Sequence, residues 1–310
     1  MAIQARQTRL GSELGCESRL PNNTRSNGIR TLPEAQDISA RSKGWSFPAG
    51  PLGELTAAAE LRARALAASQ KALERAANQA GAVPSFAGAL RDGAVAVIAE
   101  LKRRSPSKGA INETLDVPAR AGEYERAGAA ALSVLTEPVR FGGSIDDLRA
   151  ARAAVTIPLL RKDFIVHALQ ILEARANGAS AVLLIARALP ETTRENLANE
   201  ARAVGLDVLL EVRDERELDH ALRVDHAVIG INNRNLETLV IDDSVSARLL
   251  RLVPPGRTAV YESGVGGRAD VERAAALGAD AVLVGSSLSS SADGRAAAAQ
   301  LVGVLRHPRG

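Results

Sequence analysis

Glu100 and Lys102 stand two residues apart at the end of the apolar run VIAELK, and in a strand both side chains would point the same way. Lys162 with Asp163 closes a second run, LLRKD, and Glu211 closes a third, LLEV. Asn232, Asn233 and Arg234 follow IGI, and Glu262 with Ser263 follows AVY. Carboxylates and ammonium groups crowded into one place shift each other's pKa, which is how a lysine becomes a general acid and a glutamate a base near neutral pH. A single charge at the end of an apolar run is ordinarily just a strand reaching water. Convergence of all of them would make a site, so the elements that carry them decide the matter.

Short β-rich apolar runs occur at Ala94–Ala99, Ala131–Leu135, Ile157–Leu160, Ala181–Ile185, Val208–Leu210, Ala227–Ile231, Thr258–Tyr261 and Ala281–Val284, eight in all. Ala/Arg/Glu-rich stretches of helical length separate them. Several of these end in a glycine (Gly128, Gly178, Gly205, Gly278) that fits the left-handed residue just past a helix. Strands with little internal polarity are buried on both faces, as in a parallel sheet covered by helices. Eight such units close a (β/α)₈ TIM barrel, whereas an open doubly wound sheet usually has five or six strands. Ahead of the barrel, 52–79 predicts one or two helices. Residues 1–48 are polar and turn-rich, so a disordered leader is expected there, followed by a single barrel domain over 49–310 that includes N-terminal helices in 52–90.

A barrel of this kind places chemistry at the C-terminal ends of its strands. Glu100, Lys102, Lys162, Glu211, Asn232 and Glu262 would then meet at one mouth. ESGVGG and VGSS, after the seventh and eighth runs, are Gly/Ser-rich turns whose N–H groups can face an anion, and phosphate sites in such barrels lie there. The plainer reading of Gly264, Gly266 and Gly285 is tight turns. Aromatic residues are only 2% of the chain, yet Phe141 and Phe164 both follow strands, where they either pack loops or wall a flat ring. His167 reads as a helix-start or surface residue; Cys16 and Trp45 fall in the leader and are assigned nothing.

Composition narrows the class. With 46% hydrophobic and 24% charged residues the chain reads as a globular protein with a large core, and no apolar run approaches the roughly 20 residues of a membrane span. A net charge of +3, with acids and bases interleaved, speaks against nucleic acid as a partner. One cysteine and four scattered histidines argue against a disulfide or a protein-held metal. The start lacks a secretory signal, so a cytoplasmic location is expected.

Seven ordered motifs, IAELKRRSPSKG, LSVLTEPVRFGGS, LLRKDFIV, LLEV, IGINNRNLETL, ESGV and DAVLVGSSL, closely resemble indole-3-glycerol phosphate synthase of tryptophan biosynthesis over about 51–305. The resemblance implies a (β/α)₈ barrel with an N-terminal helical segment across its mouth and no cofactor or metal. It also implies closure, decarboxylation and dehydration of 1-(2-carboxyphenylamino)-1-deoxyribulose 5-phosphate to indole-3-glycerol phosphate, CO₂ and water. Carried over by position, Lys162 would be the general acid for ring closure, and Glu211 and Lys102 the acid and base of the dehydration. Glu100 would hold both lysines, Asn232 and Glu262 would bind substrate hydroxyls, and Arg234 with Ser105 would face the substrate carboxylate. Ser263, Gly264, Gly285 and Ser286 would hold the phosphate, with Phe141 and Phe164 walling the ring. VHALQ replaces the family's usual turn after KDFI, which affects local packing at His167, Ala168 and Leu169.

Two rivals follow. Another phosphate-binding barrel such as phosphoribosylanthranilate isomerase predicts a cysteine and aspartate pair where this chain offers lysines and glutamates; a non-catalytic scaffold predicts gaps in the catalytic set. The partners expected are a small phosphorylated substrate, no nucleic acid and no membrane, with the chain a monomer that associates at most with other tryptophan-pathway enzymes.

Overall fold

The structure, a computed structural model, describes residues 45–309, so Cys16 and most of the expected leader lie outside it. Eight parallel strands form the centre: β1 (Ala96–Leu101), β2 (Ala131–Leu135), β3 (Leu159–Lys162), β4 (Ala181–Ile185), β5 (Asp207–Val212), β6 (Ala227–Asn232), β7 (Ala259–Glu262) and β8 (Ala281–Val284). They pair in chain order, and β8 meets β1 through Ala281↔Ala96, which closes the barrel. Nearly every strand residue is buried, as expected for a sheet covered on one face by helices and filled on the other.

The helices are α1 (Gly50–Leu66), α2 (Gln70–Gln79), α3 (Phe86–Ala89), α4 (Val117–Arg126), α5 (Ile145–Ala154), α6 (Ala168–Ala176), α7 (Glu191–Ala203), α8 (Glu215–Leu222), α9 (Ser244–Leu249), α10 (Arg268–Ala276), α11 (Ser286–Ser289) and α12 (Gly294–Ala299). Alanines (Ala121, Ala151, Ala174, Ala198, Ala221, Ala274) fill their buried faces and let the helices lie close on the strands. Asp116, Ser144, Asp214 and Asp293 cap four of them by accepting a backbone N–H of the first turn. Gly128, Gly178, Gly205 and Gly278 take the expected positive φ after helices. No helix among the described residues is long and apolar enough to cross a membrane.

Several strands run one or two residues beyond the predicted ends. Glu100, Lys162, Glu211, Asn232 and Glu262 all lie inside strands, because the ladder is made by backbone and tolerates a polar side chain that points into the mouth. The N-terminal segment also departs from expectation. Trp45, to which the sequence assigns nothing, stacks edge-on with Phe47 (6.1 Å between ring centres), and its indole N–H donates to the carbonyl of Arg187 at 3.3 Å. Arg187 in turn donates to Ser46 O and to Glu237, both at 2.8 Å, which fastens this segment to the loops after β4 and β6.

The two ends of the barrel differ. At the lower end Phe86 of α3 is fully buried, and the carboxylate of Asp207, the first residue of β5, accepts from Ala87 N at 2.9 Å. Asp280, ahead of β8, pairs with Arg306 and Arg309 of the C-terminal tail. At the upper end α1 lies over the mouth. Its Arg62 pairs with Asp163 (2.6 Å) and Glu137 (3.6 Å). Asp163 also accepts from Thr136 Oγ1 at 2.8 Å and pairs with Arg161, which reaches Glu173 of α6. Arg161 and Asp163 are 4% and 2% exposed, so loss of Asp163 takes a carboxylate from two arginines at once, Arg161 and Arg62, and breaks a buried network. Asp163→Ala should therefore cost about 3 kcal/mol or more in urea unfolding. Arg104→Ala, which breaks the exposed pair with Glu113, should cost less than about 1 kcal/mol in the same experiment.

Candidate active site

The four odd-numbered strands each deliver one ionisable side chain to the upper interior: Glu100 from β1, Lys162 from β3, Glu211 from β5 and Glu262 from β7. Alternate strands contribute to the same layer of a barrel interior, so this set is one layer in which charge replaces the usual branched apolar residues. Lys102, just past β1, bends back and donates to Glu100 Oε1 at 2.6 Å. Lys162 Nζ donates to Glu262 Oε2 at 2.8 Å and lies 3.8 Å from Glu211 Oε2. Pairing is thus more specific than the resemblance implied. Glu100 holds Lys102 directly and acts on Lys162 only through space, while Glu262 is the carboxylate that grips Lys162.

Two glycines make room for these pairs. A Cβ on Gly230 of β6 would fall 2.1 Å from Glu262 Oε1, and one on Gly285 would fall 2.2 Å from Glu100 Oε1 and 2.7 Å from Lys102 Nζ. Gly285 is therefore required by the ion pair packed on it, a constraint that neither a tight turn nor an anion site alone would impose.

Burial works against every charge here, and the balance differs from group to group. Burial pushes Glu100 up, but Lys102 and Lys162 outweigh it and hold its pKa below the usual carboxylate value. Burial pushes Lys162 down, but Glu262, Glu211 and Glu100 outweigh it, and its pKa ends above that of an ordinary lysine. Glu211 goes the other way. Burial and the neighbouring Glu262 raise it to about 7, with Lys162 and the Asn232 amide offsetting only part of the rise. One group of the layer can thus take up or release a proton at neutral pH.

A cavity of ≈340 Å³ opens above this layer. Every expected site residue lines it: Glu100, Lys102, Lys162, Glu211, Asn232 and Glu262 below, and Ser105, Phe141, Phe164, Arg234, Ser263, Gly264, Gly285 and Ser286 around the sides. Phe141 and Phe164 stand 6.3 Å apart on one wall. Glu137 shapes that wall, since its carboxylate accepts the N–H groups of Val139, Arg140 and Phe141. On the opposite side Ser263 and Gly264 both have positive φ (67° and 86°). Ser263 is held in that left-handed turn from two directions: its hydroxyl donates to Asn232 Oδ1 at 2.8 Å, and its carbonyl accepts from Asn233 Nδ2 at 3.3 Å. Further along ESGVGG, the N–H groups of Gly266 and Gly267 are already taken by Asp270 of α10, so the expectation that the whole turn faces an anion contracts to its first residues.

Other charged or polar residues near these strand ends serve packing and capping, and of them only His167 is placed by the sequence, as a helix-start residue. Arg103 faces away and pairs with Asp147 of α5, Arg104 is exposed, and His167 caps α6 by accepting the N–H of Leu169. Arg161 and Asp163, adjacent to Lys162, turn outward into the buried network below α1. Some contributors were not legible. Pro51, Leu52 and Leu55 of α1 roof the cavity, and Lys108 enters from the turn after β1. The i, i+3 spacing of Leu52 and Leu55 marks a helix face, and the segment crosses the mouth as the resemblance implied, but which of its residues meet the cavity is set by the tertiary fold. Asn233 reads in sequence as one of three polar residues ending a run; its buried amide, which also accepts the N–H of Ser246, is what sets the Ser263 turn. Among the described residues no group of three or more His, Cys, Asp or Glu is arranged to hold a metal ion.

Comparison with known proteins agrees with this geometry. A family model described as indole-3-glycerol phosphate synthase matches residues 55–301. The indole-3-glycerol phosphate synthase of Mycolicibacterium vanbaalenii is 47% identical over 250 residues, which is 81% of this chain and 92% of that protein. That of Kineococcus radiotolerans is 50% identical over 214 residues, 69% and 78% of the two chains. Among solved structures, thiamine phosphate pyrophosphorylase from Pyrococcus furiosus superposes with TM-score 0.52 at 16% identity, covering 67% of this chain and 93% of that one. Phosphoribosyl anthranilate isomerase from Thermotoga maritima does so at 0.50 and 17%, covering 66% and 96%; both share the fold alone. With a family model and close relatives in agreement across the barrel, the chain belongs to the indole-3-glycerol phosphate synthase family.

Proposed function

We propose that this chain closes the ring of 1-(2-carboxyphenylamino)-1-deoxyribulose 5-phosphate, expels CO₂ and water, and releases indole-3-glycerol phosphate. The observation that carries the reading is Lys162, held at 2.8 Å by Glu262 and 3.8 Å from Glu211 on the floor of a cavity with an aromatic wall on one side and Gly/Ser turns on the other. Attack of the carboxyl-bearing ring carbon on the ketone creates an alkoxide, and Lys162 gives it a proton. Loss of CO₂ returns the electron pair to the ring. Glu211, protonated below about pH 7, then protonates the departing hydroxyl, and Lys102 takes the proton that leaves the neighbouring carbon as it hands its own to Glu100, 2.6 Å away.

The remaining residues position the substrate. Phe141 and Phe164 support the anthranilate ring, and Arg234 with Ser105 faces its carboxylate. Glu262 has one oxygen, Oε1, that is buried and takes no hydrogen bond from the protein among the described residues, which suits it to a substrate hydroxyl, beside Asn232. Ser263, Gly264, Gly285 and Ser286 receive the phosphate. The isomerase alternative would use a cysteine and an aspartate, and the floor of this cavity offers lysines and glutamates.

Incubation with the carboxyphenylamino-deoxyribulose phosphate should produce indole fluorescence, and its absence from wild type would sink the reading. Lys162→Met should lower kcat by about a thousandfold or more while substrate still binds measurably; near-normal kcat would remove Lys162 from the mechanism. Because Glu211 holds its proton up to about pH 7, kcat should decline above that pH, and Glu211→Gln should flatten this limb at a lower rate. The same group sets a stability trend. Between its unfolded pKa near 4.5 and its folded value of about 7 the native state binds the extra proton, so wild type should lose stability relative to Glu211→Gln as pH rises through that window. Gly285→Ala should break the Glu100–Lys102 pair; a variant with unaltered kcat would show that the pair is dispensable.

A further inference from the structure

A second cavity of ≈180 Å³ adjoins the first, sharing Glu211, Asn232 and Arg234 with it. Its far side is made by Arg213, Asp214 and Glu217, from the loop after β5 and the first turn of α8. Glu217 sits there half-buried, its Oε2 accepting the N–H of Arg213 at 2.8 Å and its own N–H donating to Asp214. Asp214 is exposed and forms the outer rim. The charged groups around Glu217 are Asp214 on its own turn, Glu211 from β5, Arg194 from α7 and Arg187 from the loop after β4. Burial and Asp214 raise Glu217 to about 7, the same value as Glu211. Arg213 Nε is buried without a hydrogen-bond partner among the described residues, a polar atom of the kind that ordered water satisfies.

The proposed reaction has a proton balance that the catalytic residues alone do not close. The alkoxide takes one proton from Lys162, and the departing hydroxyl takes a second from Glu211 as it leaves as water. The carbon beside the departing hydroxyl gives one back to the Glu100–Lys102 pair. The carboxylate leaves as neutral CO₂, its bonding pair remaining with the ring. Each turnover therefore draws one proton from solvent, while substrate and product occupy the cavity directly above Lys162 and Glu211.

We infer that this proton enters from the side, Glu217 taking it from water at the Asp214 rim and passing it through the second cavity to Glu211, 3.8 Å from Lys162; that proton and the one left on the Glu100–Lys102 pair together reload Lys162 and Glu211. The inference rests on the reaction proposed above. Glu217 is then a relay residue that never touches substrate, distinct from its service as an acceptor at the start of α8.

Glu217→Gln separates these two duties, because the amide oxygen still accepts the N–H of Arg213 and cannot carry the proton. With enzyme in excess, the first turnover should proceed at the wild-type rate, since Lys162 and Glu211 begin loaded. Steady-state kcat should fall about tenfold, giving a burst of one product per site, with KM within about twofold. Imidazole added as a small proton donor should restore the steady-state rate. Equal steady-state rates in variant and wild type would overturn the relay, as would a slowing of both phases, without response to imidazole, in a variant with a lowered melting temperature. Wild type run in parallel keeps the two claims apart: no wild-type product sinks the reaction and the relay with it, whereas normal wild-type turnover with an unaffected variant sinks the relay alone.

Discussion

The site is governed by a charge count. Glu100, Glu211 and Glu262 share one buried layer with Lys102 and Lys162, so three carboxylates face two cations. Two one-to-one pairs form at 2.6 and 2.8 Å, and the third carboxylate, Glu211, is left 3.8 Å from a lysine that is already engaged. A buried carboxylate without its own partner, next to another carboxylate, is more stable protonated. The neutral-range titration of Glu211 thus follows from the arithmetic of the layer, and no special property of its strand is needed. The same count explains why Gly230 and Gly285 flank the layer, since each pair must sit against backbone to reach its short distance.

Alternation along β3 ties this layer to the roof. Arg161, Lys162 and Asp163 are consecutive, so the middle residue points into the barrel while its neighbours point out. Asp163 receives Arg62 from α1 and Thr136 from the end of β2, and the next residue in β2's loop, Glu137, both meets Arg62 and organises the turn that carries Phe141. Lys162, the aromatic wall and the covering helix therefore share one buried network. A change in α1 can reach Lys162 through two covalently adjacent residues.

Much of this was legible in the sequence, and the limits have physical causes. The period of the eight runs and their trailing glycines was enough for the barrel, because both signals are local and repeated. Glu100 and Lys102 could be read as partners because a two-residue spacing fixes their side of the strand. Strand ends were drawn short at Glu100, Lys162, Glu211 and Glu262 because side-chain polarity marks exposure to a cavity, while the backbone ladder continues past it. Which carboxylate grips which lysine was not legible, since β3 and β7 are 100 residues apart and only barrel closure brings their ends together. Nor were Trp45, Arg187 and Glu237, whose contacts join three segments remote in sequence.

Burial alone would push Lys162 toward neutrality, and the crowded carboxylates outweigh it and raise its pKa instead. The direction suits the proposed chemistry. A general acid must be charged when the substrate arrives, and three surrounding carboxylates secure that, with the substrate's own carboxylate adding to them. The proton should then move only when a stronger base appears beside it, and the alkoxide created by ring closure is far more basic than any carboxylate of the layer. In the proposed reaction Lys162 thus stays loaded against Glu262 and Glu211 through binding and discharges at the step that needs it. The ordering of basicity, carboxylate below lysine below alkoxide, gates the transfer without any movement of the barrel.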